Sequence, residues 1–249
     1  MILTGLSNTI DVLNAADISH IGTYKTQEEH DNVMIKYTKG VKIAFLDYTN
    51  FSKKSSIPSD KAFAINVIDE ETIKKDLENV KTHNPDLIVV SMNWGSENAT
   101  KVTQTQKDLA DFLFQNGVDI ILGNGPKSLQ PMEKRTVTLE DGSTKDGFVI
   151  YSLGSFISDG TSSGASDSII LKLTLTKHID DGRITIDSVD YIPIYMYTQS
   201  DLDSQKLKIV DLNKEITNYE GSYDLSIGEK NYKNFKNQLK KIKTGLGEK

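Results

Sequence analysis

Four polar segments that follow apolar runs hold the residue types best suited to bind a ligand. They are residues 47–50 (Asp-Tyr-Thr-Asn), 91–95 (Ser-Met-Asn-Trp-Gly), 123–126 (Gly-Asn-Gly-Pro) and 152–155 (Ser-Leu-Gly-Ser). Ligands of open α/β sheets gather where strands end, so four such ends at one edge would form a binding cleft. The residue types are mostly amides, hydroxyls and glycines, whereas a transition metal needs several converging His or carboxylate ligands.

The usual catalytic signatures are absent from the sequence. It has no phosphate-binding loop, dinucleotide fingerprint, H-E-x-x-H motif or nucleophile elbow. Its four histidines, His20, His30, His83 and His178, lie outside the four polar segments. With no cysteine, the chain has no disulfide, thiol catalysis or Cys-ligated zinc. A His-rich metal site is therefore not predicted.

The first half of the chain alternates strands and helices in a way that would align the polar segments. Residues 41–47, 86–91 and 118–122 are short apolar runs typical of buried strands. Asp69 is placed to cap a helix between the first and second runs, and Thr103 is placed to cap a helix between the second and third. We predict a largely parallel sheet covered on both faces. Trp94, the only tryptophan, follows one of these strands, and both core packing and lining the cleft stay open for it.

The second half favours antiparallel hairpins. Asp141-Gly142 lies between strands at 136–139 and 147–151, and Asp181-Gly182 lies between strands at 168–175 and 183–187. A further strand is expected at 189–197, broken at Pro193. The Gly- and Ser-rich stretch 154–168 is expected to be a mobile loop.

Charge is distributed unevenly along the chain. With 29 basic and 35 acidic residues the net charge is −6, which argues against nucleic acid as the main partner. No apolar run is long enough to span a membrane. Residues 230–243, inside a lysine-rich tail, predict an amphipathic helix that buries Tyr232, Phe235, Leu239 and Ile242. A solvated lysine face is the simpler interpretation, and attraction to an anionic surface is the alternative.

Several motifs together resemble one protein family. The sequence resembles the CapA (PgsA-type) proteins of bacterial capsule and poly-γ-glutamate synthesis. The main matches are residues 93–97 (Asn-Trp-Gly-Ser-Glu), 116–123, 129–133 and 151–156, and supporting matches lie at 9–13, 20–23, 42–46 and 65–69. The resemblance covers roughly residues 1–200. It implies a metallophosphatase-like α/β sandwich, parallel in its N-terminal part and antiparallel in its C-terminal part. It also implies a location at the cell surface or on the extracellular side of a bacterial membrane. We assign residues 1–200 to this domain and 201–249 to a C-terminal extension.

The sequence departs from the family pattern at its metal ligands. Asn93, Gly125 and Lys127 stand where the family has histidines, and residues 153–156 read Leu-Gly-Ser-Phe where it has Leu-Gly-Asn-Phe. The family's acidic and N-N-H motifs would precede Met1, so we expect its N-terminal segment to be missing. These departures predict a degenerate metal site without a bound metal or other cofactor.

Two functions follow from the resemblance. In the first, the cleft binds an anionic polymer or its fragments without metal catalysis. The candidate ligand-binding residues are Trp94, Gly95, Gly123, Gly125, Lys127, Gln130, Ser152, Gly154 and Ser155. In the second, Asn93, Glu97 and Asn124, with Asp47, surround a divalent ion such as Mn²⁺ or Mg²⁺ in a phosphoesterase. An interaction domain with no retained ligand site is a third option.

A homodimer, or a complex with a complementing chain, is also expected. Without the missing family segment, a sheet edge or an apolar face of the domain would be left uncovered.

Overall fold

The computed structural model describes residues 2–50, 57–139, 142–158, 167–201, 204–222 and 224–248. Its centre is a six-stranded sheet whose inner strands are parallel. Its strands are β1 (Met34–Thr38), β2 (Val41–Thr49), β3 (Leu87–Asn93), β4 (Ile120–Asn124), β5 (Leu129–Thr138) and β6 (Thr144–Leu153). Their order is β1-β2-β3-β4-β6-β5. The pairs β2–β3, β3–β4 and β4–β6 are parallel, and the outer pairs β1–β2 and β5–β6 are antiparallel.

Helices cover one face of this sheet. The N-terminal half contains α1 (Ile2–Ala15), α2 (Gln27–Asp31), a 3-10 helix (Ser59–Ala64), α3 (Glu70–Thr82) and α4 (Gln104–Gln115). As predicted, Asp69 caps α3 by accepting from the backbone N–H of Thr72, and Thr103 forms a capping box with Gln106 at the start of α4. Buried side chains of α3 and α4 pack on alternate residues of β2, β3 and β4 in one apolar cluster.

The opposite face packs against a smaller antiparallel sheet and two helices. They are β7 (Asp167–Lys177), β8 (Ile184–Asp201), β9 (Ser204–Asp211), α5 (Leu212–Glu220) and α6 (Gly228–Gly245). The sheet order is β7-β8-β9. A second apolar cluster joins residues of both sheets to Leu212 of α5 and to Phe235 and Ile242 of α6. The predicted α/β architecture, parallel first and with antiparallel hairpins later, is confirmed.

Two details of the second half differ from expectation. Besides forming its hairpin with β5, β6 pairs in parallel with β4, because its run from Phe148 to Tyr151 is buried on both faces and suits a central strand. The predicted break at Pro193 is wrong, since β8 runs through it. Pairing with β9 begins only at Ile194, so Pro193 has a partner strand on one side alone. Asp141 and residues 159–166 of the expected mobile loop lie outside the described residues.

The lysine-rich tail forms the predicted helix. In α6, Phe235 and Ile242 are buried, while Tyr232 and Leu239 are partly buried against the same cluster. The ring of Phe235 packs edge-on against those of Tyr195 and Tyr197. The predicted division of the chain at residue 200 stays a prediction. None of the helices in the described ranges has the length and apolar character needed to cross a membrane.

Candidate functional site

Four adjacent parallel strands bring the four polar segments to one edge of the central sheet. Thr49 of β2 pairs with Asn93 of β3, which in turn pairs with Asn124 of β4. The last strand of the set, β6, lies beside β4 with Ile150 opposite Leu122. We call this row, formed by residues 47–50, 91–98, 123–127 and 152–155, the strand-end edge.

The polar side chains of the strand-end edge continue an apolar face. Side chains alternate along a strand, so Asp47, Asn93 and Asn124 lie on the same face as the second apolar cluster. Thr49 and Ser91 share this face, although the sequence did not single them out. Both residues lie in the polar segments, two positions from Asp47 and from Asn93. Because side chains alternate along a strand, this spacing could have predicted that they share a face.

Asp47 is the carboxylate of this row, and its surroundings disfavour the charged form. Burial raises the pKa of Asp47, and a hydrogen bond from the Ser91 side chain opposes that shift in part. The carboxylate lies against Gly22, where an added Cβ would be 2.5 Å from Oδ2. Sequence reasoning gave no indication of this contact, because Gly22 lies far from β2 along the chain.

Trp94 lies beneath the strand-end edge. Its side chain is only 3% exposed, its indole Nε1 donates to the Tyr151 carbonyl over 2.8 Å, and the two rings stack at 5.9 Å. Of the two roles that the sequence left open, this burial supports core packing. Trp94 therefore positions the end of β3 against β6.

The turn after β4 requires glycine at position 125. Gly125 has φ +108°, in the region that side chains rarely adopt. An added Cβ would overlap the Trp94 carbonyl oxygen and lie 2.7 Å from Oδ1 of Asn93. A histidine at this position, as the family resemblance would place it, does not fit the backbone of this chain.

Lys127 and Glu97 form an ion pair across the tips of two neighbouring segments. The Lys127 Nζ donates to Oε1 of Glu97 over 2.6 Å, and the two side chains are 52% and 56% exposed. The backbone N–H of Asn98 also donates to the Pro126 carbonyl over 2.7 Å, which joins the same two loops. The pair is accessible to solvent, so a competing carboxylate can reach Lys127.

Gln130, predicted to bind ligand, is fully buried and supports the loop after β3. Its Nε2 donates to the carbonyls of Ala99 and Lys101, each over 3.0 Å. Its Oε1 accepts from Nε2 of Gln106 over 2.9 Å. These bonds satisfy buried polar groups and hold the loop that follows Glu97.

The fourth segment turns towards β7. Ser152 is fully buried. Gly154 has φ +78°, and the Ser155 N–H donates to the Asp167 carbonyl over 3.3 Å. The predicted residue Gly123 is buried where β4 closely approaches β6, whereas Gly95 is exposed. The predicted site residues thus separate into exposed groups at the tips and buried groups that shape the turns beneath them.

The donor set does not fit the His-rich metal site that the family resemblance implies. The candidate metal ligands at the edge are the Asn93 and Asn124 amides and the Asp47 and Glu97 carboxylates. Lys127 neutralises Glu97, and burial raises the pKa of Asp47. Within the described ranges, no group of three or more His, Cys, Asp or Glu side chains could hold a metal ion. Amides and one partly buried carboxylate are poor ligands for a transition metal.

Comparison with known proteins places these features in a family. The capsule biosynthesis protein CapA of Bacillus anthracis is 27% identical over 188 residues, which cover 74% of this chain and 43% of that protein. The PGA biosynthesis protein CapA of Bacillus subtilis (strain 168) is 25% identical over 214 residues, which cover 86% of this chain and 53% of that protein. The chain spans about half the length of these two relatives.

Similarity to solved structures is weaker. Haemophilus influenzae NAD nucleotidase aligns with a TM-score of 0.41 and 14% identity, covering 85% of this chain and 36% of that one. A score of this size carries no argument about function. The family evidence is stronger, because residues 2–160 match the family model described as bacterial capsule synthesis protein PGA_cap. The chain belongs to the bacterial capsule synthesis protein PGA_cap family.

Proposed function

We propose that this chain binds an anionic polymer, poly-γ-glutamate or its fragments, at the strand-end edge during capsule or poly-γ-glutamate synthesis or export. The observation that carries the proposal is the exposed Lys127–Glu97 pair. Glu97 presents to Lys127 the same kind of group that a glutamyl unit of the polymer carries. A polymer carboxylate can therefore replace Glu97 on Lys127 and conserve the charge-assisted hydrogen bond.

Neutral groups beside the pair suit the same ligand. Asn93 and Asn124 offer amide donors without negative charge, and burial raises the pKa of the neighbouring Asp47 carboxyl. The buried side chains of Trp94 and Gln130 would hold the loops of the strand-end edge in place without contacting the polymer.

Membership in a capsule synthesis family associates the chain with the bacterial cell envelope. We place its action more narrowly at the cell surface or the extracellular side of the membrane, where capsule polymer is handled.

A metal-dependent phosphoesterase is the second candidate function. It is favoured by the convergence of oxygen-bearing side chains from Asn93, Asn124 and Asp47 on one face. Oxygen donors of this type suit Mg²⁺ or Mn²⁺ better than zinc. The two functions differ in whether the edge holds a metal ion.

Metal binding separates the two functions. We expect the purified chain, equilibrated with Mn²⁺ or Mg²⁺ and then desalted, to retain far less than one equivalent of either ion by elemental analysis. It should also turn over no compound in a phosphoester panel. One retained equivalent that is lost in Asp47→Asn would contradict the binding proposal and favour the phosphoesterase.

Substitutions of Lys127 and of Glu97 should change the affinity for the polymer in opposite directions. Lys127→Gln should weaken binding of poly-γ-glutamate roughly fivefold, since an exposed ion pair is worth roughly 1 kcal/mol. Glu97→Gln should strengthen binding by a similar factor, because it removes a competing carboxylate. Calorimetric titration measures both affinities.

A second exposed ion pair provides a matched control. Arg183 and Asp181 lie 3.4 Å apart in the turn between β7 and β8, with similar exposure. Arg183→Gln and Asp181→Asn change the charge by the same amounts and should leave the affinity unchanged. If Arg183→Gln weakened polymer binding as much as Lys127→Gln, the attraction would be non-specific and the assignment to the strand-end edge would be wrong.

A homodimer or a complex with a complementing chain stays a prediction. The small sheet has an outer face on which Ile170 and Ile192, paired across β7 and β8, are 45% and 41% exposed. Exposed apolar side chains of this kind favour association. Light scattering on the purified chain tests it, and a uniform 27.7 kDa species across micromolar concentrations would overturn the expectation.

A further inference from the structure

A cavity lies between α6 and the loops that carry the exposed ion pair of the strand-end edge. Its volume is about 850 Å³, a size typical of ligand-binding cavities. Its lining includes Ser128, which directly follows Lys127, and Thr100, which lies shortly after Glu97. On the other side it is lined by residues 234–245 of α6 in part. We call it the α6 cavity.

The C-terminal end of α6 packs against the segment that carries Lys127. A Cβ added to Gly245 would lie 3.3 Å from the Cβ of Leu129, which comes shortly after Lys127 in the chain. Leu129 and Ile242 of α6 are buried in the same apolar cluster. This cluster lies on the face of the central sheet that also carries the polar row of the strand-end edge. The packing therefore fixes the last turns of α6 beside the loop that presents Lys127.

These last turns of α6 carry exposed positive charge. The helix contains six lysines and one acidic residue, Glu229, in a chain whose net charge is −6. Lys240 and Lys241 line the α6 cavity, Lys243 follows in the next turn, and all three are exposed. Within the part of the chain that the structure describes, neither Lys240 nor Lys243 forms a salt bridge. Both are therefore available to an external anion.

Most of the other polar groups that line the α6 cavity are neutral. Asn237, Thr100 and Ser128 have amide or hydroxyl groups that can donate hydrogen bonds to carboxylates. Asp167 is the acidic residue of the described lining. Its Oδ1 is buried, and the charge of Lys241 acts on its carboxyl group. The surface that the cavity presents is therefore suited to an anionic ligand.

We propose that the last turns of α6 form a second contact surface for the anionic polymer, which extends from Lys127 through the α6 cavity to Lys240 and Lys243. One carboxylate binds Lys127, and carboxylates further along the same chain bind the helix lysines. The second contact is intramolecular and so raises the overall affinity. The identity of the polymer and its contact with Lys127 rest on the proposed function, whereas the α6 surface rests on the cavity and its charge.

The shape of the surface favours a linear polymer over an anionic membrane. The α6 cavity is a recess between a helix and two loops, and its lining contributes hydrogen-bond donors beside the lysines. A flexible chain can enter such a recess, whereas a flat lipid surface cannot. An anionic membrane would contact the exposed lysines alone.

Titration of the full chain with poly-γ-glutamate and with a γ-linked glutamate trimer tests the α6 contact. Lys240→Gln/Lys243→Gln should weaken polymer binding roughly tenfold in calorimetry, because two charge contacts are lost. The affinity for polymer should also depend less steeply on salt concentration. The trimer is too short to contact both surfaces, so its affinity at the amide NMR signals of residues 123–127 should be unchanged. Glutamine supports a helix about as well as lysine, so the fold should be retained.

Lys74→Gln/Lys75→Gln is the matched control. Both lysines are exposed on α3, which covers the opposite face of the central sheet, so the same change in charge should leave polymer affinity unaltered. An equal loss of affinity in this control, or unaltered polymer affinity in Lys240→Gln/Lys243→Gln, would overturn the inference. Binding to phosphatidylglycerol vesicles that requires Lys240 and Lys243, beside polymer binding that does not, would likewise overturn it in favour of a membrane contact.

The same variants separate this inference from the proposed function. Polymer binding that responds to Lys127→Gln but not to Lys240→Gln/Lys243→Gln overturns the α6 surface and leaves the proposed function standing. Polymer binding that responds to the α6 substitutions but not to Lys127→Gln supports the α6 surface and overturns the assignment to the strand-end edge.

Discussion

The parallel register of β2, β3, β4 and β6 is the constraint on which the strand-end edge depends. It aligns Thr49, Asn93 and Asn124 in one row across three strands. A slip of one residue would turn each side chain to the opposite face of the sheet. Such a slip is resisted because the side chains on the two faces are close-packed against different elements, α3 and α4 on one face and the small sheet with α5 and α6 on the other. The same burial that stabilises the sheet therefore fixes the position of its polar ends.

The strand-end edge combines the Asn93 and Asn124 amides and the partly buried Asp47 carboxyl with the exposed Lys127–Glu97 ion pair. Gly125 brings the turn after β4 so close to Asn93 and Trp94 that no side chain fits there. The space that a family histidine would need is filled by main chain. Lys127 then supplies positive charge at the tip of the turn, paired with Glu97. These features together favour exchange of one carboxylate for another over coordination of a metal.

Local patterns in the sequence predicted the elements well. The apolar runs before the polar segments became β2, β3 and β4, and the caps at Asp69 and Thr103 formed as expected. These signals succeed because burial on both faces and helix capping involve residues close together in the chain. The family resemblance also followed from motifs that the sequence presents directly.

What the sequence could not predict depends on contacts between distant segments. Gln130 is predicted from the sequence to bind ligand, whereas its burial and its hydrogen bonds to the loop after β3 and to α4 are visible only in the tertiary structure. The parallel pairing of β6 with β4 and the position of Gly22 against Asp47 have the same origin. The cavity between α6 and the beginnings of β5 and β7 also needs the tertiary structure, because Asp167 and Lys241, which both line it, are far apart in sequence. Polar residues alone do not reveal whether they face solvent or satisfy buried groups.

Hydrogen exchange measured by mass spectrometry, with and without poly-γ-glutamate, tests the central claim that the strand-end edge binds an anionic polymer. The account predicts slower exchange of backbone amides in residues 93–98 and 123–127, where the Lys127–Glu97 loops lie. Unchanged exchange in both segments under conditions where the polymer is bound would contradict it.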